Sequence, residues 1–310
     1  MKDFRWDNLN VLVTGGSGFI GSYVVEKLLQ RGAKESNILI PRSFQYDLTE
    51  MKNCLEVVKD MDMVIHLAAV VGGIGYTKKH PGTSFYKNMI MNVQLMEAAR
   101  IKGVKKFVSI GSACSYPKHA PVPFKEEDLF NGYPEETNAS YGYTKLMMLV
   151  QSQAYRQEFG MNAVVVVPFN AYGPRDNFDR DTSHVIPALI RKCLENQDEI
   201  VVWGDGSPSR SFIYAEDFAE GVVLAAEKLN EPIPVNIGTD EEITIKDLLE
   251  KIIRLTGFKG RIVYDTSKPN GQPRRCASIK RARELLGFTP KWTLEEGLKR
   301  TIEWYKENYM

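Results

Sequence analysis

An α/β fold, a doubly wound parallel sheet carrying a smaller α/β lobe, is what the sequence predicts, and three observations predict it. Short apolar runs alternate with helix-like segments through the first 170 residues. The runs are apolar without polar alternation, as strands covered on both faces are. The first run opens directly into a glycine-rich turn.

Taken in order, the predicted strands are residues 11–13, 38–40, 64–68, 107–110 and, after the segment around Tyr141, 163–167. Beyond Pro168 the texture changes to Pro, Gly and Asp punctuation between shorter elements, including 201–206 and 234–238. A dinucleotide-binding unit over 1–170 and a substrate-binding lobe over 171–310 follow, with a soft boundary, because the helix-like run 215–228 could pack back on the first unit.

The chain has 310 residues, enough for one large domain and a smaller lobe, with 43% hydrophobic and 25% charged residues. Its 40 basic and 39 acidic residues leave a net charge of +1, so no overall field draws nucleic acid or anionic lipid. Cys54, Cys114, Cys193 and Cys276 are far apart and form no C-x-x-C pair, which argues against a zinc site or a disulfide framework. The first ten residues are polar and charged, and no apolar run approaches the roughly 20 residues of a membrane span. A cytoplasmic, metal-free protein is expected.

Residues 11–21, VLVTGGSGFIG, run from a strand through Gly15, Gly18 and Gly21 into a helix. Glycines at this spacing allow a tight turn, close approach of backbone to a pyrophosphate, and close helix packing, the arrangement of Rossmann-type sheets. Ser17, Phe19 and Ile20 share that turn and are cofactor contacts on this reading. An ordinary strand-to-helix turn is the plain alternative. Where NAD sites usually place an acid at the end of the second strand, this chain has Arg42, which favours the 2′-phosphate of NADP over NAD. A solvated loop charge is the other reading of Arg42. Asp47 and Leu48 are then candidates beside the adenine, Ala68 and Ala69 for its ribose, and Pro168 for the cofactor at the end of the fifth strand.

Tyr141 and Lys145 are four residues apart ahead of a helix-compatible stretch, so an ammonium can sit beside a phenol. Bringing a phenol from near ~10 to neutrality takes roughly 3 units, about 4 kcal/mol, which one ammonium at about 4 Å supplies at an effective dielectric near 20. Tyr264 and Lys268 repeat the spacing, but run from a strand-like segment into Pro269, so that copy is not helical. Ser112, just past the fourth strand, is placed to donate a hydrogen bond to a substrate oxygen, completing a Ser-Tyr-Lys set for carbonyl or alcohol chemistry.

With these residues in view, the chain resembles the extended short-chain dehydrogenase/reductase superfamily and, within it, the GDP-L-fucose synthase family of 3,5-epimerase-4-reductases. The matching stretches are 70–75, 111–117, 141–145, 170–177, 183–187 and 201–204. The resemblance implies that Cys114 and His184 move protons at C3 and C5 of a 4-keto sugar, that NADPH reduces C4 while Tyr141 protonates its oxygen, and that Lys145 also grips the nicotinamide ribose. A thiol near ~8.5 and an imidazole near ~6.5 suit that exchange. A buried thiol and a core histidine are the plain alternatives. Asn170, Lys192, Trp203, Arg210 and Asn270 are then candidates for holding the GDP-sugar, where otherwise Trp203 would be core and the cations surface.

Three departures from the family stand out. Ala113 occupies the place of a second serine, Lys192 that of an arginine, and Asn270 that of an aspartate. Rival readings are an NAD-dependent nucleotide-sugar 4-epimerase, a 4-ketoreductase on a related GDP-sugar or heptose, and a non-catalytic NADP-binding regulator. A 4,6-dehydratase is disfavoured, because Ala113 and Cys114 stand where that group carries an Asp-Glu pair. The resemblance also implies a homodimer paired through the Tyr141 helix and a second helix over 85–101, whose Met89, Met91, Leu95 and Met96 suit either a core or a dimer face.

Overall fold

The computed structural model describes residues 5–71, 79–268 and 272–310. In chain order the first strands are β1 (Val11–Thr14), β2 (Ile38–Leu39), β3 (Met63–His66), β4 (Lys106–Ile110) and β5 (Ala163–Pro168). They continue with β6 (Ala171–Tyr172), β7 (Glu199–Trp203), β8 (Ser209–Ser211), β9 (Ile213–Tyr214) and β10 (Pro234–Ile237). The central sheet has six strands in the spatial order β2-β1-β3-β4-β5-β10, and every pairing is parallel. The order reverses at β1, so the crevice between the carboxyl ends of β1 and β3 is the switch point where such sheets bind ligands.

The missing alternation in the strands has a direct cause in the packing. Val11 and Val13 of β1 join one core with Met63 and Ile65 of β3, while Leu12 and Val64 join the core on the opposite face. Successive side chains point to opposite faces, and both faces are covered. On the first face lie α1 (Phe19–Gln30) and, from much later in the chain, α6 (Ala215–Lys228), meeting through Val24, Leu28, Phe218 and Val222. The other face carries α2 (Met51–Val57), α3 (Pro81–Ile101) and α4 (Ala139–Phe159), the last two packed against each other.

Within α3 the apolar residues divide: Met91, Leu95 and Met96 are buried in the core and Met89 half-buried, whereas Phe85, Tyr86 and Val93 are exposed. The methionines therefore fill the domain interior.

The later segments build a second core around Ile190, Ile200, Leu248, Ile252 and Leu298. It is supplied by α5 (Val185–Glu195), α7 (Ile245–Thr256) and, after α8 (Lys280–Leu286), by α9 (Leu294–Tyr309). Two small sheets border it. β8 pairs antiparallel with β11 (Glu242–Thr244) and parallel with β13 (Arg274–Arg275), and β7 pairs parallel with β12 (Arg261–Asp265). Tyr264 lies in β12, so the second Tyr-Lys spacing is indeed not helical.

Residues 234–238, grouped by their texture with the later elements, supply the sixth strand of the central sheet. Val235 and Ile237 are fully buried beside β5, because α6 packs on α1 and returns the chain to the first core. Among the described residues, no helix is long and apolar enough to cross a membrane.

Candidate active site

The dinucleotide turn is built by steric necessity at two glycines. Gly15 has φ +70°, a left-handed conformation that disfavours side chains, and a Cβ there would lie 2.9 Å from the Ala68 nitrogen. At Gly21 a Cβ would fall 2.0 Å from the Gly15 carbonyl oxygen. The loop and the first turn of α1 are thus pressed against each other and against the strand that ends at His66.

Gly18 caps α1 with extended backbone, and among the described residues no side chain caps this helix. Its first amides remain as donors for an anion, with the helix dipole behind them. The cradle therefore fits a dinucleotide pyrophosphate. Arg42 is exposed at the end of β2, where its backbone carbonyl accepts from Gln45 and Tyr46. The Asp47 carboxylate accepts from the Thr49 amide at 2.9 Å and the Thr49 hydroxyl at 2.8 Å, which holds it below the usual range and shapes the turn into α2. Leu48 is buried in the core beside Cys54. Pro168 and Ala69 are half-buried at the carboxyl ends of β5 and β3.

Next to this cradle, the chain leaves β4 through a tight 3-10 turn, Ala113–Ser115, capped by Ser112, whose Oγ accepts from the Cys114 amide at 3.1 Å. The hydroxyl proton remains to be given. Helix α4 lies against that turn, and the contact is close because Gly142 has no side chain: a Cβ there would be 2.3 Å from the Cys114 carbonyl oxygen. Ser115 seals the contact by donating to the Gly142 carbonyl at 2.8 Å.

This docking brings Cys114 and Tyr141 into one electrostatic environment. Tyr141 and Lys145 share a helix face, with Nζ 5.8 Å from the phenol ring centroid. Burial first, and Cys114 second, push the Tyr141 phenol well above its usual value. Lys145 does not offset that rise, because burial of the pair outweighs every other influence on the phenol. The burial that raises one partner also lowers the other, to about 8 for Lys145. The neutral phenol is the acid form a ketone reduction needs, and an amine lowered to about 8 still carries its proton near neutrality.

Near Cys114 stands a pair of cations that sequence reasoning only half found. Arg210 was expected; its NH1 donates to the Ser209 carbonyl at 2.7 Å, and burial followed by repulsion from Arg275 lowers it to about 10. Arg275 was not expected. The parallel register of β13 on β8 sets it opposite Arg210, and its NH1 lies 3.8 Å from the Cys114 sulfur. Gln272 fixes the guanidinium by accepting at 3.2 and 3.0 Å, and is itself tied to the Lys118 carbonyl at 3.0 Å.

The remaining candidates are placed less directly. His184 caps α5 at its N-terminus and is exposed toward solvent, yet the protein around it desolvates the imidazole and holds it below its ordinary value. No hydrogen bond among the described residues ties it to Cys114. Trp203 ends β7 with 60% of its surface exposed and the Lys268 ammonium over its ring at 5.8 Å, so the core reading of this tryptophan does not hold. Lys192 donates to the Val201 carbonyl at 2.7 Å, and Asn170, at φ +43°, gives its amide to the Ser211 carbonyl at 2.7 Å. Both side chains brace the strands next to the cleft. Asn270 lies outside the described residues. All four cysteines are free thiols, and among the described residues no group of His, Cys, Asp and Glu could hold a metal ion.

The chain is similar to known proteins over nearly its full length. The NAD dependent epimerase/dehydratase family matches residues 11–238. The GDP-L-fucose synthase of Sinorhizobium fredii (strain NBRC 101917 / NGR234) is 37% identical over 314 residues, covering 99% of this chain and 99% of that one. Among solved structures, a GDP-6-OMe-4-keto-L-xylo-heptose reductase from C. jejuni superposes with a TM-score of 0.90 at 26% identity, covering 97% of this chain and 98% of that one. A GDP-L-fucose synthetase from Naegleria fowleri bound to NADP superposes with a TM-score of 0.86 at 28% identity, covering 100% and 97%.

Proposed function

Because the chain belongs to the NAD dependent epimerase/dehydratase family, within the extended short-chain dehydrogenases/reductases, we propose that it is a GDP-L-fucose synthase, converting GDP-4-keto-6-deoxy-D-mannose to GDP-L-fucose. The observation that carries this reading is the docking of α4 on the 3-10 turn, which sets Tyr141 and Lys145 beside a cysteine where a dehydratase needs carboxylates.

NADPH, when bound in the glycine cradle, supplies a hydride for C4. Gly15, Gly18 and Gly21 admit its pyrophosphate, Arg42 its 2′-phosphate, and Lys145 its ribose. Before reduction, the 4-keto group acidifies C3 and C5. Cys114 and His184 serve as the pair that takes a proton from one face of each carbon and returns one on the other. Ser112 donates a hydrogen bond to O4, which lowers the energy of the enolate. Tyr141 gives its proton to O4 as the alcohol forms, so the ketone gains one hydride and one proton.

Arg210 and Arg275 present two guanidiniums to the diphosphate side of the substrate, and the exposed face of Trp203 suits a base. A homodimer through the exposed apolar residues of α3 and α4, and a cytoplasmic location, complete the proposal.

The superposition on a GDP-heptose 4-ketoreductase favours one second reading, reduction without epimerisation. Turnover of GDP-4-keto-6-deoxy-D-mannose with NADPH in deuterated water separates the two. Deuterium at C3 and C5 of a GDP-L-fucose product supports the synthase. NADPH oxidation without that label reduces the protein to a ketoreductase, and absence of turnover overturns the synthase reading and points to another nucleotide sugar.

A further inference from the structure

His66 ends β3 and is fully buried, with neither ring nitrogen facing the cleft chemistry described above. Both nitrogens are nevertheless engaged. Nδ1 is 2.7 Å from the Thr14 hydroxyl of β1, and Nε2 is 2.9 Å from Oδ1 of Asn92 in α3. The chain of contacts extends in two directions. Thr14 Oγ1 accepts from the Ala68 amide at 3.2 Å, and Asn92 Nδ2 donates to the Thr144 carbonyl at 3.2 Å. Thr144 lies between Tyr141 and Lys145, and its own hydroxyl donates to the Tyr141 carbonyl at 2.7 Å.

These partners fix every proton. Asn92 uses its amide nitrogen on Thr144, so its oxygen must accept, and His66 Nε2 must carry the hydrogen. Nδ1 is then an acceptor, filled by the Thr14 hydroxyl, whose lone pair is free for the Ala68 amide. Only a neutral imidazole in one tautomer satisfies the whole line.

We propose that His66 is a positioning residue, a rigid polar strut that ties the wall of the dinucleotide cradle at Ala68 to the helix carrying Tyr141 and Lys145. Ala68 is the residue that a side chain on Gly15 would strike, so its place sets the depth of the cradle. The Thr144 carbonyl is held from the opposite end, which fixes the turn of α4 that aims the phenol and the amine. Burial first, and then the Lys145 charge, hold the imidazole down to about 3, in keeping with a ring that stays neutral. A protonated ring would leave Thr14 without an acceptor and add a second cation near Lys145.

The strut can be cut at either end. An Asn side chain places its terminal atoms where Nδ1 stands and keeps the Thr14 arm; a Gln side chain reaches the Nε2 position and keeps the Asn92 arm. His66→Gln is expected to weaken NADPH binding about tenfold while the NADPH-saturated rate stays within about threefold, and His66→Asn to lower that rate about tenfold while NADPH binding, which Lys145 shares, weakens less than in His66→Gln. Loss of stability alone would move neither constant in this opposed fashion. Both variants changing both constants together, or neither changing any, overturns the proposal.

Only the rate arm rests on the synthase reading. Nitrogen-15 NMR of the histidine rings in the unsubstituted protein is expected to show the neutral Nε2–H tautomer for His66 from pH 5 to 8, and the Nδ1–H tautomer or an imidazolium overturns the strut. Should GDP-4-keto-6-deoxy-D-mannose not turn over, the synthase reading fails, while the tautomer and the NADPH titrations still decide the role of His66.

Discussion

Replacing Gly21 with Ala sets two effects of opposite sign against each other. In an ordinary helix interior the change is stabilising by about 1 kcal/mol, because Ala is the better helix former. Here the new Cβ would stand 2.0 Å from the Gly15 carbonyl oxygen and 2.6 Å from both Gly15 C and Gly16 Cα. Carbon and oxygen tolerate about 3.3 Å, so the loop and α1 must part by more than an ångström.

Overpacking of this kind costs roughly 1–3 kcal/mol, enough to cancel the helix gain and exceed it. The displacement cannot be absorbed on the Gly15 side, since that residue is already pressed against the Ala68 amide. It moves into the turn whose amides meet the pyrophosphate. Losing one or two hydrogen bonds to a charged acceptor, at roughly 1.5–3 kcal/mol each, weakens NADPH by at least about tenfold. Fluorescence titration with NADPH, alongside thermal melting, reads both quantities. Gly82→Ala serves as the control, because nothing lies within 4 Å of its Cβ position. Gly21→Ala binding NADPH within about twofold of the unsubstituted protein would refute the steric argument.

The other predictions concern the cleft and its supports. Cys114→Ser and His184→Gln are each expected to lower deuterium incorporation at C3 and C5 more than they lower reduction of a ketone already carrying the product configuration, as product NMR would reveal. Arg275→Met removes the cation 3.8 Å from the Cys114 sulfur and is expected to lower epimerisation at least about tenfold with the protein still folded; unchanged turnover would disconnect Arg275 from the reaction. Asp176 is buried and its carboxyl is raised to about 7 by desolvation, so the folded protein holds a proton that the unfolded chain releases near pH 4. Stability from this group is therefore lost as pH rises from about 4 through 7, by up to about 4 kcal/mol, and Asp176→Asn should raise the melting temperature more at pH 8 than at pH 5. A melting difference that does not change with pH would exclude this origin.

What could be read from the sequence was local, and what could not was made by strands meeting late. Gly15 to Gly21 and the Tyr141-Lys145 pair each carry their geometry within a single turn or helix face, so spacing alone exposes them. Residues 234–237 carry no such mark: Pro, Val, Asn and Ile ahead of a glycine look alike in either core, and only the packing of α6 on α1 brings them beside β5. His66 was hidden for a different reason, since a histidine inside an apolar strand has no local sign that both its nitrogens are used.

Arg275 shows the limit most clearly. Its neighbour Arg274 is a surface ion pair with Glu242, and nothing in the run of two arginines distinguishes the one that pairs from the one that turns inward. The distinction is made by the strand period: on β13 adjacent side chains face opposite ways, and β8 fixes the register so that Arg274 meets Ser209 and Arg275 meets Arg210. A one-residue slip would exchange the two, sending Arg274 toward Cys114 and leaving Glu242 to the other arginine. The bidentate pair between Arg274 and Glu242, at 2.9 and 2.6 Å, thus works against the slip and keeps the second guanidinium beside the thiol. A surface ion pair of modest stabilising value becomes consequential here because it chooses which arginine enters the cleft.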